Sequence, residues 1–438
     1  MSNTYQKTSR RAQPDPQPCE VAVPEQVVVS VTEIAGAAKE GLLALAVGTG
    51  LQVMAAMFDE DAARMCGSAG KHNPGREGYR HGSEDGSVTL GGRRLAVTRP
   101  RVRAAGGSGE LHLPSYDLFS STGILTQLAL EKMLAGLSSR RYARGLEPTG
   151  QAVEEAAAAT SKSAVSRRFV AATETALAEL MSRRLDDLDL VAFMVDGVHF
   201  GEHTCVVALG IDIDGVKHPL AVEEGSTENA TLVTGLVTGL RERGLDVTKP
   251  ILAVLDGARA LSRAVKDVSG KPLIRRCQQH KIKNVRDKLP ERLRTVAERR
   301  MREAYHAQSA LKAEGLLAEL ARELDKTRPG AAASSREGMA ETLTILRLGV
   351  PPTLARTLRP ANPVESMIEI CREHSKNVKR WRDGTMALRW CAAGMLEADH
   401  QFRRVNGHLH LPKLRAALDA SFTETVSTVS QNEDQKVA

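Results

Sequence analysis

Two short apolar segments rich in β-branched residues, each followed by an Asp-Gly pair, constrain the fold of this chain more than any other feature. Asp196 follows LVAFMV and Asp256 follows ILAVL. Runs of this length and composition predict strands that are buried in a sheet. We therefore expect a carboxylate at the end of each of two buried strands.

A regular order of elements surrounds these two strands. The segments LDLVAFMVDGVHF, TCVVALGIDIDG and VKHPLAVEEGS predict three strands joined by tight turns, and NATLVTGLVTGLRERG predicts a helix that ends at glycine. The strand ILAVLDG, a second helix and the short strand PLIRRC follow. This order is that of an RNase H-like core, in which the first and fourth strands are neighbours. The predicted class is therefore α/β with a mixed sheet in which Asp196 and Asp256 meet.

A third carboxylate, Glu365, lies in ANPVESMIEI, a segment with helix character. Between Cys277 and about residue 348 the chain has an almost entirely helical pattern. A bare core does not need this length of chain. We therefore predict that an all-helical insertion interrupts the core before the helix of Glu365.

The part of the chain before the core has a mainly helical pattern with one hairpin. Residues 31–66 and 122–185 favour helices, and SVTLGGRRLAVTRPRVR predicts a β-hairpin that turns at Gly91-Gly92. A break at Thr160–Lys162 separates two helices with the spacing of a helix-turn-helix, whose second helix enters the major groove of DNA. A DNA-binding region and an ordinary helical pair both fit this pattern.

These patterns divide the chain into seven segments. They are a disordered tail (1–28), a helical and hairpin region for dimerisation or DNA-end contact (29–120), a helix-turn-helix-like domain (121–186), the first part of the catalytic core (187–285), the helical insertion (286–358), the carboxyl-terminal helices of the core (359–415) and a polar tail (416–438).

Composition limits the partners and the location of the protein. A formal charge of +7 and a pI near 9.1 favour a polyanionic partner. Six scattered cysteines without a CxxC pair fit a reducing compartment, and the polar first residues give no secretory signal, so the cytoplasm is expected. The uncharged stretch from Gly41 to Phe58 contains three glycines, which favours a buried or dimer-forming helix over a membrane span.

The three carboxylates define the expected chemistry. Mg²⁺ prefers oxygen ligands, and two such ions about 3.5–4 Å apart are the usual apparatus for displacement at phosphorus. We expect Asp196, Asp256 and Glu365 to hold two Mg²⁺ ions, replaceable by Mn²⁺, for cutting and joining nucleic acid. An Asp-Gly pair by itself is more often a turn former. Three nearby glutamates are alternatives to the third ligand: Glu369, Glu373 and Glu397.

Several ordered motifs resemble those of bacterial insertion-sequence transposases of the mutator type. They are MVDGVHF, ALGID with DGVKHPL, EEGSTEN, VLDGARAL, RCQQHKIKNV, NPVES and RWCAAGMLEADHQFRRVNG, within roughly residues 75–415. The resemblance implies DDE transposition on an RNase H-like fold. Asp196 and Asp256 match the family's two aspartates, and Glu365 matches the glutamate of its Asn-x-x-Glu motif. Cys277 and His280 match its Cys-x-x-His signature and are expected to be structural residues near the site. The chain departs from the family at ATLVTGL, where a tryptophan is common.

The resemblance also implies partners and a pathway. The expected partners are double-stranded DNA, as the terminal inverted repeats of the element and the target, and at least one further copy of the chain. Strand cleavage and strand transfer would follow a copy-out, paste-in route through a circular intermediate, at the bacterial nucleoid. Two alternatives stay open: a catalytically silent, transposase-derived DNA-binding regulator, and an RNase H-like junction nuclease.

Basic and hydroxyl side chains in three places are the candidate DNA contacts, because phosphates attract such groups. They lie on the hairpin, on the second helix of the helical pair and in the segments that flank the carboxylates. The residues are Arg93, Arg94, Arg99, Arg101, Arg103, Ser163, Ser166, Arg167, Arg168, Arg276, Lys281, Lys283, Lys376, Lys379, Arg380 and Arg382.

Overall fold

The computed structural model describes residues 42–68, 71, 73–107, 109–147, 149, 151–225, 230–257, 259–268 and 272–422. The predicted amino-terminal tail, 1–28, and residues 423–438 lie outside this range. The chain forms two compact units, the first up to Phe169 and the second from Val170, with Leu134–Gly136 grouped with the second.

The first unit contains a long helix, a three-stranded antiparallel sheet and several shorter helices. In chain order these are α1 (Leu42–Cys66), β1 (Gly78–Leu90), β2 (Arg93–Ala104), β3 (Glu110–Leu111), α2 (Pro114–Ser120), α3 (Gly123–Leu134), α4 (Gln151–Ala156) and α5 (Lys162–Ser182). The last of these helices continues into the second unit.

The predicted hairpin is confirmed, because β1 pairs with β2 around Gly91 and Gly92. Both glycines have a positive φ, of 56° and 77°, as a type I′ turn requires. The first strand begins at Gly78, earlier than the sequence pattern indicates. Its outer half is held by charged cross-strand pairs such as Glu84 with Arg99 rather than by apolar alternation.

One face of α1 packs on the hairpin. Phe58 and Ala62 are fully buried, and the ring centroids of Phe58 and Tyr116 are 5.6 Å apart. The buried Asp61 carboxylate accepts hydrogen bonds from the backbone N–H and the hydroxyl of Ser115, at 2.8 and 2.6 Å. It thereby satisfies a donor at the start of α2. Among the described residues, no helix has the length and apolar character that a membrane span needs.

The helical pair at the end of the first unit has a longer break than predicted. Helix α4 ends at Ala156 and α5 begins at Lys162. Within the break, Ala159 has a φ of 70° and Ala158 forms an antiparallel bridge with Arg94 of the hairpin. The connection is therefore tied to the sheet.

A five-stranded mixed sheet forms the centre of the second unit. Its strands are β4 (Leu190–Phe200), β5 (His203–Asp212), β6 (Lys217–Gly225), β7 (Leu252–Leu255) and β8 (Leu273–Arg276), in the spatial order β6-β5-β4-β7-β8. The first three strands are antiparallel, and β7 runs parallel to both β4 and β8. Helix α6 (Ala230–Glu242) lies between β6 and β7 in the chain, and α7 (Arg259–Val268) connects β7 with β8. The predicted order of strands and helices is confirmed.

Helices cover both faces of this sheet. Met194 of β4 is buried against the carboxyl-terminal helices, whereas Phe193 and Val195 are buried against α6 and α7. Successive side chains of a strand point to opposite faces, so a strand covered on both faces needs apolar residues throughout. This burial accounts for the unbroken apolar run LVAFMV.

After β8 the described chain contains only helices and short connections. The helices are α8 (Gln278–Arg286), α9 (Glu291–Tyr305), α10 (Ala310–Asp325), α11 (Pro329–Arg336), α12 (Met339–Thr342), α13 (Thr344–Arg347), α14 (Pro352–Leu358), α15 (Asn362–Ser375), α16 (Gly384–Gln401) and a last helical segment, 411–422.

The segment predicted as an insertion, 286–358, has a hydrophobic core of its own. Met301 and Leu317 are buried in that core. The end of the segment packs differently, because Leu354 and Leu358 of α14 are buried in the cluster beneath the sheet. The separate helical core therefore ends before α14, earlier than the predicted boundary.

The predicted start of the carboxyl-terminal tail, residue 416, is wrong. Residues 411–422 are helical, and Leu414 and Leu418 are buried in the sheet cluster. Leu411, Leu414 and Leu418 follow helical spacing, so they place three side chains on one buried face.

Candidate active site

Asp196 and Asp256 lie side by side at one end of the parallel pair β4 and β7. The last paired residues are Val195 and Leu255, and each aspartate is the next residue in its chain segment. The expectation that Asp196 ends its strand is wrong, since β4 continues to Phe200 and Asp196 pairs with Val207 of β5. What ends at Asp196 is the pairing with β7, and both carboxylates are half-buried there.

Glu365 reaches this place from α15. The helix buries Val364, Met367, Ile368 and Cys371 in the cluster beneath the sheet. Residues at this spacing share one helix face. Glu365 lies in the first turn and remains half-buried, so its carboxylate lies at the margin of the buried face.

Cys277 and His280 lie beside Glu365. The Cys277 N–H donates to the Leu255 carbonyl at 2.7 Å, which ties the start of α8 to the end of β7. One potential ligand atom from each of Cys277, His280 and Glu365 lies within 4.8 Å of the other two. Cys277 is fully buried and His280 half-buried. The structure thus brings the Cys-x-x-His pair and the three carboxylates into one neighbourhood.

The ionisable groups of this neighbourhood change one another's pKa values. Burial raises the pKa of Asp196 to about 6; the Gly197 N–H, 2.9 Å from the carboxylate, and His280 oppose this, while Asp256 and Glu365 add to it. Contact with Cys277 and the charges of the two aspartates raise the pKa of His280 to about 9. Burial disfavours the Cys277 thiolate, but His280 and Arg275 outweigh it, and the pKa of Cys277 is lowered.

These residues offer two sets of metal ligands that share Glu365. The carboxylates supply only oxygen atoms, as Mg²⁺ prefers. The pKa of Asp196 is raised mainly by burial and further by Asp256 and Glu365, and a divalent cation bound there would favour the ionised carboxylate against both effects. Cys277 and His280 supply sulfur and nitrogen, but a structural zinc site takes four ligands. The group found within the described residues has three. The carboxylate set therefore fits its implied metal better.

Several arginines predicted to contact DNA are used inside the protein instead. Arg93 is 4% exposed and donates to the Glu147 carbonyl at 2.8 Å. Arg94 donates to the Ser120 carbonyl. Arg276 and Lys281 are buried beside Glu337, at 3.7 and 3.9 Å. Burial removes Arg93, Arg276 and Lys281 from the set of DNA contacts, and the half-buried Arg94 is engaged by hydrogen bonds within the protein.

The remaining predicted contacts are more accessible. On the hairpin, Arg99 and Arg101 form ion pairs with Glu84 and Glu110, while Arg103 is exposed. On α5, Arg168 donates to the Ala159 carbonyl at 2.7 Å. The others are exposed: Ser163, Ser166, Arg167, Lys283, Lys376, Lys379, Arg380 and Arg382. Of these, Lys376 pairs with Glu373.

Comparison with known proteins gives the family. The sequence profile described as "Transposase, Mutator family" matches residues 26–405, which is most of the chain. The chain belongs to the Mutator family of transposases. An insertion-sequence transposase of Rhizobium meliloti (strain 1021) is 25% identical over 368 residues, 83% of this chain and 90% of the relative. A second one, from Mycolicibacterium smegmatis, is 30% identical over 204 residues, 45% of this chain and 62% of that relative. The resemblance inferred from the motifs is thereby confirmed.

The two tryptophans of this transposase-family protein pack together at the end of β4 that carries Phe200. The ring centroids of Trp381 and Phe200 are 4.9 Å apart, and those of Trp381 and Trp390 are 6.3 Å apart. Trp390 is 4% exposed. Both rings therefore join the amino-terminal end of α16 to the far end of β4, beyond Asp196.

Proposed function

We propose that the protein is a DNA transposase of the DDE type, whose RNase H-like core carries the catalytic residues Asp196, Asp256 and Glu365. The observation that carries the proposal is the end of the pairing between β4 and β7, where the two aspartates emerge together. The influence of Glu365 on the pKa of Asp196 supports its place as the third member.

The same three carboxylates are the proposed ligands of two Mg²⁺ ions, for which Mn²⁺ can substitute. When bound, such ions activate water or a DNA 3′-hydroxyl and stabilise the leaving oxygen at phosphorus. The chain itself fixes the ligands on rigid elements: two on adjacent strands and one on a helix with a buried face. His280 lies beside them as a cation held by Cys277 and offsets part of their negative charge. Cys277 and His280 are thus proposed as structural residues of the site.

We further propose the terminal inverted repeats of its own element and a target duplex as the DNA partners. The names of the relatives, which are transposases for insertion sequences, support this choice. The exposed residues Lys379, Arg380 and Arg382, which follow the helix of Glu365, supply positive charge for phosphate contacts. Because two element ends must be handled together, we propose a homodimer or larger assembly at the bacterial nucleoid, acting by a copy-out, paste-in route.

A strand-cleavage assay tests the proposal. The protein is mixed with a labelled duplex carrying the repeat that flanks its gene, in Mg²⁺, in Mn²⁺ or in EDTA. We expect nicking at the repeat boundary in either metal and none in EDTA. Asp196→Asn, Asp256→Asn and Glu365→Gln should each abolish nicking, while DNA binding in EDTA is retained.

Glu369→Gln is the matched control for the third ligand. Glu369 lies one turn after Glu365 on the same helix, but it is exposed, so its variant should cleave normally. Loss of cleavage in Glu369→Gln with normal cleavage in Glu365→Gln would exchange the two assignments. Binding without nicking in either metal would favour the silent regulator, and cleavage of branched DNA without regard to end sequence would favour a junction nuclease.

A further inference from the structure

A cleft of about 370 Å³ lies among α8, the end of α9, α14 and the start of α15. Its polar walls include Arg302, Arg356, Arg359, His306, Gln279 and Asn362, and none of its lining residues is acidic. The other side chains that line it are apolar or neutral. This cleft therefore differs from the carboxylate site beside it in the sign of its charge.

Two of the arginines in the cleft have no carboxylate partner in the described part of the chain. Arg356 is exposed and Arg359 is half-buried, with its Nε shielded from solvent and lacking a hydrogen-bond acceptor. Burial lowers the pKa of Arg359. Arg302 differs, since it donates to Glu298 at 2.7 Å. The free positive charge of the cleft thus belongs to Arg356 and Arg359.

A third guanidinium adds to this charge from the interior. Arg275 is fully buried, and no carboxylate pairs with it among the described residues; its nearest polar partner is the Cys277 thiol. Burial lowers its pKa to about 10; nearby Cys277 and Tyr305 oppose the shift, and Arg359 adds to it. Buried cations without a carboxylate partner are costly. An anion in the cleft would relieve the repulsion between Arg275 and Arg359.

Two of the helices that wall the cleft, α8 and α15, also carry residues of the candidate site. Gln279 immediately precedes His280 on α8, and Asn362 lies one turn before Glu365 on α15. A nucleic-acid strand whose phosphate is positioned at the carboxylates has further phosphates on either side. The cleft lies next to the turns of α8 and α15 that carry His280 and Glu365. Its location therefore favours a backbone phosphate of such a strand as the bound anion.

We propose that this cleft binds a backbone phosphate of the DNA strand near the phosphate that is cleaved, with Arg356 and Arg359 as its contacts. The inference rests on the proposed function, since it takes DNA as the substrate. It assigns a task to two arginines that are not among the candidate DNA contacts predicted from the sequence. In this assignment the carboxylates perform the chemistry while the arginines hold the strand in register.

The test measures DNA binding in EDTA, where no cleavage occurs. Fluorescence anisotropy with the repeat duplex, at several salt concentrations between 50 and 200 mM, gives the slope of log K against log salt. Each phosphate contact contributes about 0.9 to that slope. We expect Arg356→Gln and Arg359→Gln each to reduce it, and the double variant to reduce it by about 0.9, the share of the one phosphate that both arginines contact. The control is Arg322→Gln, which removes an exposed arginine of α10 that does not line the cleft, and its slope should equal that of the wild type.

The possible results separate the two proposals. A wild-type protein that does not bind the repeat duplex would overturn both. Normal binding with unchanged slopes in Arg356→Gln would overturn the cleft assignment alone. Arg356 carries this decision because its exposed side chain can be replaced without disturbing the core; thermal unfolding checks whether Arg359→Gln is folded.

A parallel titration with inorganic phosphate identifies the source of the anion. We expect phosphate to compete with DNA for the wild type and to compete less for Arg356→Gln. If phosphate raises the melting temperature of the wild type but not of Arg356→Gln, while both bind DNA with equal slopes, the cleft is a site for a small anion. That outcome would overturn the DNA assignment.

Discussion

Gly257, the residue after Asp256, is where the smallest side-chain change has the largest predicted effect. Its φ is 107°, and a Cβ atom added there would lie 1.8 Å from Nε of Arg276. Arg276 is 5% exposed and also lies against Gly338, where an added Cβ would be 2.6 Å from Nη1. The guanidinium can avoid such an atom only by shifting into the cleft that it lines together with Gly257 and Gly338. We expect Gly257→Ala to strain the backbone and to force Arg276 away from Glu337.

The expected loss of stability is the sum of two terms. A non-glycine residue in a sparsely populated backbone region costs about 1–3 kcal/mol, and an overpacked interior costs about another 1–3 kcal/mol. The total is about 2–6 kcal/mol. With a urea dependence of about 3 kcal/mol/M, the unfolding midpoint should fall by about 0.7–2 M. Fluorescence of Trp381 and Trp390 reports this transition, because both tryptophans lie in the second unit.

The matched control is Gly235→Ala in α6. A Cβ atom at Gly235 would meet no heavy atom within 4 Å, and alanine is favoured over glycine within a helix by about 0.5–1 kcal/mol. Its midpoint should therefore stay the same or rise. An unchanged midpoint for Gly257→Ala would refute the argument, since it would mean that the loop and Arg276 adapt without cost.

Two further predictions concern stability. Leu317→Ala should lower the free energy of unfolding by about 2–5 kcal/mol, because Leu317 is 1% exposed in the helical core. The control Leu311→Ala, on the same helix at 81% exposure, should change it by less than about 0.5 kcal/mol. Equal urea midpoints for the two variants would contradict the separate helical core. Asp212→Asn should destabilise the protein by about 1–3 kcal/mol at pH 7, because the carboxylate accepts hydrogen bonds from His218 and the Val216 N–H at 2.8 Å each. Although burial opposes ionisation, these bonds lower the pKa of Asp212, so the stabilisation holds above its unfolded pKa and is lost as the pH falls. The difference between wild type and variant in urea midpoint should shrink from pH 7 to pH 3.5, and a constant difference would exclude the charged hydrogen bonds as its cause.

The sheet of the second unit was predictable because its strands are buried on both faces. Val195 and Leu255 are the last residues of two short apolar runs rich in β-branched residues, which is the pattern of buried strands. A helical segment that ends at glycine lies between them in the chain. Glu365 was placed by a motif and not by periodicity, because Glu369 and Glu373 have the same local surroundings in the sequence. Only the packing of α15 distinguishes them, because it leaves Glu365 half-buried and Glu369 and Glu373 exposed.

What could not be predicted depends on tertiary contacts of charged residues. The sequence predicts a surface position for Arg276 because arginines are rarely fully buried, and only the folded chain reveals the space between Gly257 and Gly338 that it fills. Arg356 and Arg359 were overlooked for the opposite reason. They belong to no dense basic run, and only the packing of α14 against the neighbouring helices makes them walls of one cleft.

The helical segment between Asp256 and Glu365 has a consequence for the timing of synthesis. The two residues lie on opposite sides of this segment in the chain. At about 5–20 residues per second, a ribosome needs about 5–20 s to add the hundred or so residues between them. During this interval the nascent chain has both aspartates but not the glutamate. If the three carboxylates act together as proposed, a product that ends before Glu365 cannot cut DNA, because the ribosome adds the third carboxylate only after the helical segment is complete.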